Sequence, residues 1–290
     1  MRDYVILTDS CCDLPNKLVK ELKVRVLPLK FTVDAKDYRN YSDEREMTNT
    51  AFYGLLREEK EAKTVAANPD ELGRVFSEIL ESGSDVLYLA FSSGLSSTYS
   101  NGVIAAQSAM EDHPDGKVLV VDTLCASMGE GLLVYYAAKE KEKGKTIDEV
   151  AAFVEDKKLN LCHWFTVDDL NHLKRGGRLS PGMALLGSVL GIKPVLHVDD
   201  EGHLVNVAKA RGRKAALAAL LEHLKETAQH PEEQTIFISH GDCKDDAESL
   251  AKMVKEAVHP ARIEIGFIGP VIGAHSGTGT LAVFFLGSKR

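Results

Sequence analysis

The chain alternates short apolar, β-branched runs with longer stretches whose apolar residues recur at helical spacing. Tyr4–Thr8, Val24–Phe31, Val86–Phe91 and Val118–Asp122 read as buried strands, with helical patterns near Asn16–Leu22, Asn49–Glu61 and Thr98–Glu111. That alternation predicts a parallel sheet with helices on both faces. Asn68-Pro69-Asp70-Glu71 supplies an N-cap, a first-turn proline and early acidic positions. Thr146-Ile147-Asp148-Glu149 is a capping box opening a helix that ends near Asp156, and the helix expected over Ser127–Lys143 stops at Gly144.

Beyond residue 156 the rhythm changes. Ile192–Val198 and His203–Lys209 flank Asp199-Asp200-Glu201-Gly202, which has the composition of a hairpin turn. Further strands are expected at Leu161–Val167, Thr235–His240, Arg262–Ile268 and Thr280–Leu286, with helices at Asp169–Lys174, Gly182–Leu190, Arg213–Ala228 and Asp245–Ala257. The second half therefore predicts a mixed sheet with helices. The fold class is α/β with two lobes, an N-terminal one over residues 1–156 and a C-terminal one over 157–290. A chain of 290 residues, 44% hydrophobic, is long enough for two cores, and a cleft between the lobes is the natural ligand site.

Charge and cysteine content narrow the classes. A formal net charge of −8 with interspersed signs gives no footprint for nucleic acid or for an anionic membrane surface. The start, Met-Arg-Asp-Tyr-Val-Ile-Leu-Thr-Asp, turns polar after a few apolar residues, so a buried strand is expected rather than a leader or a membrane insertion. Cys11, Cys12, Cys125, Cys162 and Cys243 form an odd, scattered set that suits a cytoplasmic protein with buried thiols. Ser239-His240-Gly241-Asp242 offers two candidate ligands, too few for a metal, and no cofactor is expected.

The chemistry concentrates in loops. Phe91-Ser92-Ser93-Gly94-Leu95-Ser96-Ser97-Thr98-Tyr99 joins a strand to a helix start, where free N–H groups favour an anion. With no Lys or Arg inside it and no Gly-x-x-x-x-Gly-Lys pattern, the loop reads as a carboxylate seat or as an ordinary helix-capping turn. Thr64 lies just before the helix at Asn68-Pro69, as a local cap or a ligand hydroxyl. Gly269 to Gly279 holds His275 in a glycine-rich loop between two strands. In Leu173-Lys174-Arg175-Gly176-Gly177-Arg178-Leu179-Ser180 the first two cations suit a helix C-terminus, and Arg178 either adds positive potential to the anion seat or, the preferred reading, pairs with an acidic residue across the lobes. Arg211-Gly212-Arg213-Lys214 opposes the dipole of the helix it opens and reads as a solvated charge run or a surface for an acidic partner.

In combination, Asp9-Ser10-Cys11-Cys12-Asp13-Leu14-Pro15, Ser92 to Tyr99, Leu173 to Ser180, Ile192-Lys193-Pro194, Arg211-Gly212-Arg213 and Gly269 to Gly279 resemble the DegV family over nearly the whole chain. The resemblance implies a lipid carrier that holds one long-chain fatty acid in a tunnel between the lobes. It implies carboxylate contacts from Thr64, from the Ser92-Ser93 pair with Ser93 preferred, and from His275. Where the family usually shows Thr-Ser-Gln-Pro-Ser, this chain has Thr64-Val65-Ala66-Ala67-Asn68-Pro69. The family resemblance further implies that a separate fatty acid kinase subunit phosphorylates the bound acid, that this chain is not catalytic alone, and that Arg211 and Arg213 are candidates for docking that subunit. The rival reading is a serine-dependent acyl hydrolase or transferase with Ser93 as nucleophile and His275 as base, although the chain has no Gly-x-Ser-x-Gly elbow. A chain that consumes ATP by itself is a further rival.

Overall fold

The computed structural model describes residues 2–178 and 191–290. The first elements are β1 (Tyr4–Asp9), α1 (Asn16–Leu22), β2 (Arg25–Leu27), β3 (Lys30–Val33), β4 (Lys36–Arg39), α2 (Asn49–Arg57), β5 (Ala62–Thr64), α3 (Pro69–Glu81) and β6 (Asp85–Ala90). Next come α4 (Thr98–Asp112), β7 (Val118–Asp122), α5 (Met128–Glu142), α6 (Ile147–Lys157), β8 (Leu161–Thr166) and α7 (Asn171–Arg175). The rest are β9 (Ile192–Val198), β10 (Leu204–Arg211), α8 (Arg213–Thr227), β11 (Thr235–His240), α9 (Lys244–Val258), β12 (Arg262–Phe267), α10 (Pro270–Ser276) and β13 (Leu281–Leu286). The helix expected at Gly182–Leu190 lies outside the described residues.

Strands β2-β1-β6-β7 form a parallel sheet. Alternation along β6 explains its two coats: Val86, Tyr88 and Ala90 pack with α3 and α4, whereas Leu87 and Leu89 pack with α5 and α6. The second sheet, ordered β10-β9-β8-β13-β11-β12, mixes parallel and antiparallel pairs as expected. Its Ile236, Ile238 and Val283 face α8 and α9, while Phe165, Leu196 and Phe284 join the cluster around α5. Helix α5 thus lies between the sheets, which is why Met128, Leu132, Leu133, Val134 and Ala137 are all buried and Glu130 is enclosed with them. The cluster is continuous across the boundary expected at 156/157.

Two expectations need correction. The run Val24–Phe31 is two strands in two sheets, because Pro28 has no N–H to continue a ladder. After it, β3 pairs with β4 and β5 in a small antiparallel sheet, turned at Asp34-Ala35 where both residues have positive φ (50° and 58°). Asp-Ala is a weak hairpin signal beside Asn-Gly, so the pattern hid this sheet. The stretch Gly269 to Gly279 is not a plain loop either. Pro270 occupies the first turn of α10 and Gly277, at φ +79°, ends it, so the glycines punctuate a helix.

A candidate binding cavity between the sheets

A cavity lies between the sheets, in a region with about 970 Å³ of empty space that includes its opening to solvent, and most of its wall is apolar. Leu29, Phe91 and Val271 form one side, and Phe165, Ala282 and Phe284 of β8 and β13 form the other. Polar side chains gather where β5, α10, the start of α4 and the segment after α7 meet. Thr64 ends β5, opposite Phe31 in the ladder, and His275 lies in the last turn of α10. Their Oγ1 and Nε2 are 2.7 Å apart. Nδ1 of His275 has no partner among the described residues and faces Gly176, where a Cβ would sit 2.2 Å away. With the ring proton on Nε2, the imidazole donates to Thr64 and leaves the threonine O–H free to donate into the cavity.

Burial, reinforced by the Arg178 guanidinium, pushes the His275 pKa down to about 4. The imidazole is therefore neutral near pH 7. Arg178 does not pair with an acid as expected: its Nε donates to Leu95 O at 3.2 Å, its Nη1 donates to Gly176 O, and no carboxylate bridges it among the described residues. Its positive charge stays available at the cavity wall. Gly176→Ala is expected to displace the His275 ring and weaken binding of an anionic head about tenfold, while leaving a neutral analogue nearly unaffected; titration of both ligands checks it.

The hydroxyl loop divides into two parts. Ser92 Oγ donates to Gly202 O at 2.9 Å and accepts from Gly94 N–H at 3.2 Å, fully buried. Ser93 is exposed, and its N–H donates to Asp122. Neither lines the cavity, because the chain turns at Ser92-Ser93-Gly94 to receive the tip of the β9–β10 hairpin. Ser96 and Ser97 line it instead, at the N-terminus of α4. They are held beside Thr64 because Thr98 Oγ1 accepts from Ala67 N–H (3.2 Å) and Asn101 Nδ2 donates to Ala67 O (2.8 Å). Sequence reasoning favoured the serines nearest the strand end and passed over Ser96 and Ser97, while for Arg178 it preferred an ion pair to a place at the anion seat. The one available signal was that Ser97 immediately precedes the helix, where backbone N–H groups converge.

The hairpin contact is tight enough to be specific. A Cβ on Gly202, at φ +80°, would lie 2.2 Å from Ser92 Oγ, and one on Gly94 would lie 2.7 Å from Glu201 O. Gly202→Ala is therefore expected to cost about 1–3 kcal/mol of stability, read from a chemical denaturation midpoint.

Other candidate groups have structural roles. Cys11 lines the cavity and Cys12 lies behind it, and burial raises both thiols well above the usual range, which suits inert packing. Arg213 is tied to Asp246 (2.8 Å) and Asp168 (3.7 Å), whereas Arg211 is exposed at the end of β10. Asp242 pairs with Arg57, and no cluster of metal ligands occurs among the described residues. Outside the cavity a cleft with about 1740 Å³ of empty space, open solvent included, shares Thr64, Arg178 and His275 with it and is edged by Arg57, Lys60, Lys63 and Arg175 together with Glu59, Glu61 and Asp169. The polar end of the cavity faces this charged cleft, in which Arg57, Lys60 and Lys63 are paired with Asp242, Asp34 and Glu61.

A two-lobed α/β frame around an apolar cavity, with a hydroxyl, an imidazole and a guanidinium at one end, is the arrangement of a protein that holds an amphiphile with an anionic head. The chain belongs to the DegV family. The family model described as "Uncharacterised protein, DegV family COG1307" matches residues 3–288. A DegV domain-containing protein of Clostridium perfringens is 49% identical over 290 residues, covering 100% of this chain and 99% of the relative. A fatty-acid-binding DegV family protein from Thermus thermophilus superposes with a TM-score of 0.88 at 32% identity, over 98% of this chain and 99% of that one. A DegV lipid-binding protein from Thermotoga maritima gives 0.87 at 28% identity, over 99% of each chain. No described helix is long and apolar enough to cross a membrane.

Proposed function

We propose that this protein binds one long-chain fatty acid in the cavity between its sheets and presents the carboxylate to a separate fatty acid kinase subunit. The observation that carries this reading is the pairing of an apolar cavity with the Thr64–His275 contact at the end that faces the open cleft. Each buried methylene contributes about 0.8 kcal/mol, so the tail supplies most of the affinity. A carboxylate withdrawn from water costs several kcal/mol unless donors meet it. Thr64 O–H, the hydroxyls of Ser96 and Ser97, the N-terminus of α4 and the Arg178 charge are the donors available. Ser92 and Ser93, named by family resemblance, serve this site through the fold of their loop.

The similar proteins of known structure are described as fatty-acid-binding, which supports the same ligand class here. Phosphorylation by a partner fits a head group that meets an open cleft with Arg175 and Arg178 at its wall, and Arg211 remains exposed for docking such a partner. The hydrolase reading has less support: Ser93 is outside the cavity, Nε2 of His275 is engaged by Thr64, and no carboxylate orients Nδ1 among the described residues. Denaturing the purified protein and analysing the extract by mass spectrometry is expected to release one fatty acid per chain. A protein that carries none and takes up none from solution would end this reading. Labelling of Ser93 by a fluorophosphonate probe would instead revive the hydrolase.

A further inference from the structure

The sheet register gives the cavity a direction. Thr280, whose Oγ1 donates to Ser276 O at 2.9 Å, stands beside the His275 end, and β13 runs away from it through Ala282 to Phe284, both of which line the cavity. Four residues of strand span about 13 Å. Phe165 stands opposite Ala282, and His163 stands opposite Phe284. Because Trp164 pairs with His197 and Phe165 with Leu196, the same antiparallel register carries Val198 next to His163, and Val198 pairs in turn with Leu204. Leu204, Val198, His163 and Phe284 thus make one row across four strands, and all four line the cavity. The next inward pair, Leu161 and Leu286, belongs to the packed core and does not line it.

His163 is the rigid member of the row. Its Nε2 accepts from Ala126 N–H at 3.2 Å, and its Nδ1 donates to Leu161 O at 3.2 Å. The ring stands edge-on to Phe284, at 5.4 Å and 88°, and presses on Gly129, where a Cβ would lie 2.2 Å from Nε2. Both ring nitrogens are used, so the residue has no hydrogen bond to offer a ligand and acts on it by shape alone. A ring anchored at both nitrogens does not swing aside as a leucine or methionine does.

We propose that His163, backed by the row it shares with Val198 and Phe284, is the stop that sets the longest acyl chain the cavity accepts. The inference rests on the fatty-acid reading above. Affinity then rises about fourfold per added methylene until the terminal methyl reaches the ring, and falls for longer acids because the ring cannot yield.

The test is the dissociation constant of the delipidated protein for saturated fatty acids of increasing length, for wild type, His163→Ala and Val198→Phe. The wild type is expected to show a break in the series. His163→Ala moves the break to longer acids, with on the order of tenfold gain for an acid two carbons beyond it. Val198→Phe moves it to shorter acids, a change that simple loss of stability does not produce. His163→Ala leaves Ala126 N–H without its acceptor, and if that variant does not fold, Val198→Phe decides alone. A break unchanged in the folded variants overturns the stop while leaving fatty-acid binding intact. Failure of the wild type to bind any acid overturns the function itself.

Discussion

Thr64→Val is expected to erase most of the preference for a fatty acid over its methyl ester, lowering the ratio of affinities by about 10- to 100-fold while the ester binds nearly as before. The reason is the division of labour in the cavity. The apolar wall meets both ligands equally, and only the head contacts distinguish a carboxylate from an ester. His275 holds the threonine hydroxyl at 2.7 Å, so its replacement acts largely through Thr64. His275→Ala should then resemble Thr64→Val, and the double variant should lose little more than either alone, giving a large coupling energy. With a kinase subunit present, both variants are expected to slow acyl phosphate formation more than they reduce lipid retention. Additive losses in the cycle would show that the two residues meet the ligand separately.

Much of the architecture was legible because burial patterns are local. Val86–Phe91 and Val118–Val121 are uninterrupted apolar runs, and the N-caps at Asn68 and Thr146 mark their helices with side-chain oxygens that do accept from the first turn. The small sheet β4-β3-β5 escaped because its strands are three or four residues long and its exposed positions, such as Lys36 and Asp37, look like loop. Helix α10 escaped because glycine counts toward a loop in any local reading, whereas Gly273 is fixed by a tertiary contact: a Cβ there would lie 2.7 Å from Tyr53 Oη.

The site was half legible for a similar reason. Thr64 and His275 are 211 residues apart, and resemblance rather than spacing joined them. Four serines between Phe91 and Thr98 are chemically alike, and only the docking of the β9–β10 hairpin on Ser92 decides which of them face the cavity. Arg178 could not be placed from sequence, because its partners are the backbone carbonyls of Leu95 and Gly176, which carry no signature in a side-chain pattern.

Asp13→Asn is expected to stabilise the protein at pH 8 by a few kcal/mol and to flatten the decline in stability between about pH 4 and 7. Asp13 is buried beneath the cavity. Its Oδ2 accepts from Ser127 Oγ at 2.6 Å, and its Oδ1 accepts from Gly269 N–H at 2.9 Å. Burial outweighs these two bonds and, with the neighbouring Asp9 charge, lifts the pKa from 3.8 to about 7. Asp9 and Glu130 face the same interior, and burial raises both. The unfolded carboxyl releases its proton near pH 4, whereas the folded one keeps it until about pH 7. Between those values the unfolded chain binds fewer protons, so stability falls as pH rises, by roughly 4 kcal/mol for a shift of this size. Asparagine has no charge to bury, accepts from Gly269 through its Oδ1 and donates to Ser127 Oγ. Ser127 is left to donate to Ser239 Oγ at 3.0 Å, and it also lines the cavity, so the substitution should leave the wall in place. Urea denaturation of both proteins from pH 4 to 8 checks the sign: parallel curves would mean that Asp13 is ionised in the fold throughout, its charge borne by Ser127 and Gly269.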